Sequence, residues 1–275
     1  MFNAGINRFG NTAPVVKNLI IINALMLLAT SVIDNVFHKD LVYTLGLFSP
    51  ESSNFKLHQI VTHMFMHANL THLFFNMFSL WMFGRALENA WGSKRFLTYY
   101  LLTGLGAAAL HTFVNYLEFT PVRDFVQTFV ESPSPALLTE FSQRFIGNPE
   151  LHNEFLNFAS NWSANIHNPD YSSEAVGMVR LVYDKIVSIP TVGASGAVYG
   201  VLLGFGMLFP NTILMLIFPP IPVKAKYMVM FFAAIELFLG LGQSGSNIAH
   251  FAHLGGMLFG FFIIRYWNRK RTNFY

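Results

Sequence analysis

The chain has 275 residues, of which 53% are hydrophobic and 11% charged, with a net charge of +3 and no cysteine. A soluble domain carries about 25% charged residues, so this composition calls for a membrane-embedded chain with one polar region attached. The small net charge gives no reason for a nucleic-acid partner, and the missing thiols exclude disulfides, thiolate metal sites and cysteine catalysis.

A hydrocarbon core of about 30 Å needs about 20 apolar residues as helix. The first such run is Val16 to Ile33; it begins late, after Arg8 and with Lys17 at its start, and reads as a span, not a cleavable signal. A loop follows, Asp34 to Thr62. The second span runs from Phe65 to Phe83, and a basic turn, Arg85 to Arg95, leads into the third, Phe96 to Tyr116. Residues 117–190 form a long polar insert, punctuated by Pro133, Pro135, Pro149 and Pro169, with amphipathic helical pieces such as Pro135 to Ile146 and Glu150 to Trp162. It reads as a small helical cap with no catalytic part. The fourth span starts at Ser195, the fifth is Tyr227 to Leu241 and the sixth Phe251 to Trp267. The expected organisation is therefore all-α: a membrane core in 1–116, the insert in 117–190, and further core plus a basic tail in 191–275.

Charge orients these spans. With six of them, the N-terminus, the even-to-odd turns and the C-terminus share one side. That side holds Arg8, Lys17, Arg85, Lys94, Arg95, Lys224, Lys226, Arg265, Arg269, Lys270 and Arg271, against Lys39 and Lys56 in the first opposite loop. The excess of Lys and Arg assigns both termini to the cytoplasm and the acidic insert to the outside. The charge pattern and the lack of cysteine suit a bacterial inner membrane.

The residues able to do chemistry lie on three spans. Thr191-Val-Gly-Ala-Ser-Gly-Ala-Val-Tyr-Gly200 holds a serine between Gly193 and Gly196 at the start of the fourth span. A helix N-terminus offers unpaired N–H groups and favours negative charge, which suits a nucleophile and a developing oxyanion. A serine needs a base, and His253 in Ala249-His-Phe-Ala-His253-Leu-Gly-Gly256 is the candidate. Ser195 to Phe209 makes about 22 Å of helix at roughly 1.5 Å per residue, too short to cross, so Ser195 should lie at membrane depth beside a wet cavity that opens outward. Gly196, Gly200 and Gly204 make one small-residue stripe, and Ala252, Gly256 and Gly260 make another. Facing stripes would bring helices close and bring Ser195 to His253. Tyr199, one turn on from Ser195, would pack on the imidazole. On the second span His72 and Asn76 share a face, and both can donate to an oxyanion. His63 and His67 read as structural hydrogen-bonding groups. A metal site built from these histidines and His250 is the rival, but it lacks a HExxH pair and any carboxylate nearby in the sequence. Glu236, midway along the fifth span, reads as a packing hydrogen bond, slightly ahead of a role in gating.

Together His67-x4-His72-x3-Asn76, Gly193-x-Ser195-Gly196-x2-Tyr199, His253-x2-Gly256-x3-Gly260 and Gly84-x3-Glu88-x3-Gly92 resemble the rhomboid family of intramembrane serine proteases. One departure is His58-Gln59, where many bacterial members carry Trp-Arg. The resemblance implies a six-span bundle and a Ser195–His253 dyad without an acid. It implies an oxyanion hole from His72, Asn76 and the Ser195 N–H, with Tyr199 stacked on His253 and Gly193, Gly196, Gly256 and Gly260 in support. Glu88 would be a structural hydrogen-bonding residue, and the fifth span, with Phe231, Phe232 and Phe238, would flank a lateral substrate entrance. No metal or cofactor is implied. The partners would be the bilayer and transmembrane substrates with Gly or Pro in the span and a small residue at the cut. The alternatives are an inactive relative that binds transmembrane helices and a histidine-box metal oxidase.

Overall fold

The computed structural model describes residues 13–215, 220–242 and 250–271, with side chains to residue 269. Arg8, counted among the cytoplasmic cations, lies outside the described residues, as do the side chains of Lys270 and Arg271. The helices are α1 (Pro14–Phe37), α2 (Leu41–Leu45), α3 (Gln59–Thr62), α4 (Leu70–Ser79), α5 (Arg85–Trp91), α6 (Ser93–Glu131), α7 (Pro135–Phe145), α8 (Pro149–Ala164), α9 (Pro169–Val187), α10 (Ser195–Leu208), α11 (Ala225–Gly242) and α12 (His250–Arg271). By length and apolar character α1, α6 and α11 can each cross a bilayer, and α10 is a shorter apolar helix.

The chain divides into two compact units. The first takes residues 1–47, 56–114 and 190–275; the second takes 48–55 and 115–189. In the first, α10 packs most extensively on α12, around a core that includes Met64, Leu80, Leu87, Phe96, Tyr99, Tyr100 and Val201. Glu88, buried, accepts from Val15 N at 3.0 Å, Val16 N at 2.9 Å and Ser93 Oγ at 2.6 Å, so one carboxylate caps the start of α1 and ties down the start of α6. At the departing pair noted above, His58 Nε2 bonds the Thr44 carbonyl at 2.8 Å, and nearby Thr62 Oγ1 donates to the Leu45 carbonyl at 2.7 Å. The loop before α3 is held by short polar side chains.

Two expectations need correction. The helix of the second span begins at Leu70, not Phe65, because Asn69 is an N-cap whose side chain accepts from His72 N; it then widens into a π turn, Leu80–Gly84. The helix of the third span does not stop at Tyr116 but continues through Pro121 to Glu131. The described residues are otherwise mostly helical, as expected, with one short hairpin in which β1 (Ile213–Met215) pairs antiparallel with β2 (Pro222–Lys224) in the register Leu214↔Val223.

The second unit has its own core of Phe129, Leu138, Phe141, Phe155, Ala175 and Val179. Pro135, Pro149 and Pro169 each open a helix, behind the capping side chains of Ser134, Asn148 and Asn168. The Glu51 carboxylate accepts from both Arg123 and Tyr183, which ties residues 48–55 to α6 and α9. Burial, and then the Glu51 carboxylate, push the Tyr183 hydroxyl above its usual range.

Candidate active site

The first unit gathers the polar residues of α4, α10, α11 and α12. Gly193 approaches α10 with φ +132, a conformation that favours glycine, and its N–H donates to the His63 carbonyl at 2.9 Å. A side chain there would also strike the His72 imidazole. The preceding strand-like residue Thr191 pairs its backbone with Leu47, and its hydroxyl bonds His111 Nε2 at 2.7 Å. The loop before Ser195 is thus tied on both sides, and the serine follows at the first turn of α10.

Ser195 Oγ lies 2.8 Å from His253 Nε2. The Tyr199 ring lies parallel to the imidazole, 4.2 Å between centroids and 4° between planes. The close approach comes from glycines. A Cβ on Gly256 would overlap the Gly196 carbonyl, and one on Gly196 would strike Ala107 of α6. At this level the two stripes meet directly. Further along, Gly200 faces Thr103, Gly260 faces Tyr99, and Tyr99 Oη donates to the Gly200 carbonyl at 2.7 Å. The third-span helix is therefore wedged between the two stripes, which facing glycines alone did not foretell.

His72 lies against Gly193 beside the serine, and its ring meets the edge of the His67 ring at 5.1 Å. Asn76 is buried, and its Nδ2 donates to the His72 carbonyl at 3.0 Å, which leaves one N–H of the amide uncommitted. His63 Nδ1 bonds the Gln59 carbonyl at 2.9 Å. Beside Ser195 lies a cavity of about 10 Å³ lined by His63, Thr191, Gly193 and Ala252, room for about one water.

Two residues weighed lightly in the sequence stand in this site. His250 Nδ1 is 2.6 Å from Glu236 Oε2, and His253 Nδ1 is 3.0 Å from Glu236 Oε1. Tyr199 Oη also donates to that carboxylate. The lack of a carboxylate near the histidines held along the sequence but fails in space. The ligand atoms of Glu236, His250 and His253 lie within 4.8 Å of one another. Each carboxylate oxygen already faces a donor, so the cluster reads as a matched polar network and not as a cation cradle.

The Rhomboid domain profile matches residues 54–121 and 157–270, more than half of the chain. The chain belongs to the rhomboid family. Within that family it is 26% identical over 246 residues to RHOMBOID-like protein 12, mitochondrial, of Arabidopsis thaliana, covering 88% of this chain and 55% of that protein. It is 37% identical over 57 residues to Rhomboid protease AarA of Providencia stuartii, which covers 21% of this chain and 20% of that protein. It is 39% identical over 59 residues to Rhomboid protease GluP of Bacillus subtilis (strain 168), covering 21% of this chain and 12% of the relative. The aligned part is thus a fifth or less of either named protease and about half of the plant protein. With its apolar helices, this rhomboid is a multi-pass membrane protein. Neither the helix-binding nor the metal-oxidase alternative is favoured by these matches.

Proposed function

We propose that this rhomboid is an intramembrane serine endopeptidase that hydrolyses peptide bonds in or near the transmembrane segments of other membrane proteins. The 2.8 Å contact between Ser195 Oγ and His253 Nε2 carries the reading. Ser195 attacks the peptide carbonyl, and His253 takes its proton and later gives it to the leaving amine. The Ser195 N–H at the start of α10, His72 and Asn76 stabilise the oxyanion, and Tyr199 fixes the imidazole plane. No cofactor or metal takes part. Relatives that carry the name protease support this assignment. In this reading α1, α4 with its π turn and α5, α6, α10, α11 and α12 supply six crossings, residues 117–190 lie outside, and both termini face the cytoplasm of a bacterial inner membrane. Substrates unwind at Gly or Pro, because a stable helix hides its carbonyls from attack.

The test is cleavage of a reporter transmembrane substrate in proteoliposomes. Ser195→Ala and His253→Ala should each abolish turnover with an unchanged melting temperature, and a fluorophosphonate probe should label the intact chain at Ser195. Turnover retained by Ser195→Ala would end the proposal.

A further inference from the structure

Glu236 lies midway along α11 and is 6% exposed. An ionisable group at that depth is costly unless it is matched, and it marks function more often than packing. Three donors converge on it from two other helices. Tyr199 Oη of α10 and His253 Nδ1 of α12 approach Oε1, while His250 Nδ1 of α12 bonds Oε2. A packing role accounts for the Tyr199 and His250 bonds. It leaves unexplained why the same oxygen stands 3.0 Å from the imidazole whose far nitrogen meets Ser195.

We propose that Glu236 is a positioning residue for the reaction, which makes the Ser195–His253 pair a Ser–His–Glu relay. The proposal rests on the serine endopeptidase reading. A carboxylate at Nδ1 holds the proton there and leaves Nε2 bare, the tautomer that can accept from Ser195. As the Oγ–carbon bond forms, the Oγ–H bond breaks and its proton moves to Nε2. Nδ1 keeps its own proton, so the ring becomes an imidazolium facing an ionised carboxylate. Collapse of the intermediate returns the Nε2 proton to the leaving amine, and Glu236 stays ionised throughout. In the resting arrangement Oε1 lies to one side of the Nδ1–H axis, at ion-pair distance and short of an aligned hydrogen bond. Such contacts tighten when substrate binds. Among the described residues, the groups facing His253 besides Glu236 are Ser195 and Tyr199 of α10, His250 of its own helix, His72 of α4 and His111 of α6. Glu236 is the one acid among these, so removing it deprives the imidazolium of its counter-charge.

The experiment uses the full chain in proteoliposomes with the reporter substrate. Glu236→Gln should lower kcat by about 10²–10⁴-fold while KM moves little, because the interaction strengthens only as the ring becomes charged. The acid limb of its kcat/KM profile should move to lower pH, since the base then stays neutral further into acid. Glu236→Asp should recover part of the loss. Should Glu236→Gln fail to fold, ¹⁵N-histidine NMR of the wild type decides: the His253 signal, assigned by its disappearance in His253→Ala, should report a protonated Nδ1 and a bare Nε2. An unchanged kcat and acid limb in a folded Glu236→Gln, or a protonated Nε2 in the neutral wild type, would overturn the proposal. So would activity lost to a chelator and restored by zinc, because Glu236 would then be a ligand. Activity in Ser195→Ala would instead defeat the underlying reading.

Discussion

Gly256→Ala probes how the dyad is assembled. Gly256 lies three residues past His253 on α12 and faces the Gly196 carbonyl, one residue past Ser195 on α10. A Cβ at 256 would overlap that carbonyl, and a helix backbone cannot rotate out of the way as a side chain can. The helices must part. Overpacking of this kind costs about 1–3 kcal/mol. Replacing a helical glycine by alanine returns about 0.5–1 kcal/mol. The net loss of stability is therefore modest, about 0–2.5 kcal/mol, and the protein should fold. The geometric effect is larger, because parting the helices acts directly on the 2.8 Å Ser195–His253 contact. A misplacement of about 1 Å costs about 10²-fold in rate. The measurement pairs reporter cleavage in proteoliposomes with thermal unfolding in detergent. Gly242→Ala serves as the control, since among the described residues its Cβ would meet nothing within 4 Å. Wild-type turnover in Gly256→Ala would refute the argument that glycine contact sets the site.

His72→Ala should slow cleavage by about 10²–10³-fold if its imidazole supplies one oxyanion donor, read as kcat in the same assay. Glu88→Ala should lower stability by about 2 kcal/mol, because the cap on α1 and the Ser93 bond disappear together; thermal unfolding measures it. Gly177→Ala should stabilise the second unit by about 0.5–1 kcal/mol, as its Cβ meets nothing within 4 Å on α9. The raised Tyr183 hydroxyl contributes stability that is whole below its ordinary value of 10.0 and is lost as pH rises toward the folded value; Tyr183→Phe should therefore be less stable at neutral pH and lose less stability above pH 10, read as Tm against pH.

The approach of Ser195 to His253 was legible in local motifs, and the glycine spacing foretold that α10 and α12 touch. The wedge of Tyr99 and Thr103 between the stripes was not legible, since those residues sit on a third helix whose rotation no local pattern reveals. The start of α4 was hidden because Phe65 and Met66 extend the apolar run past the true cap at Asn69. The apolar run of the third span ends near Tyr116, yet α6 runs on through Pro121 to Glu131. Glu236 stood out as an acid in an apolar segment. Its partners Tyr199, His250 and His253 lie 14 to 37 residues away along the chain, so what it touches emerged only once three helices were assembled.

Glu88 joins segments made at different times. Val15 and Val16 precede it by 73 and 72 residues. Among the described residues these two amides meet the Glu88 carboxylate, so that bond must wait until the α5 region is synthesised. The N-terminal helix therefore enters the bilayer before it is anchored, and its final position is decided by a residue that arrives later, after which the assembled chain locks it.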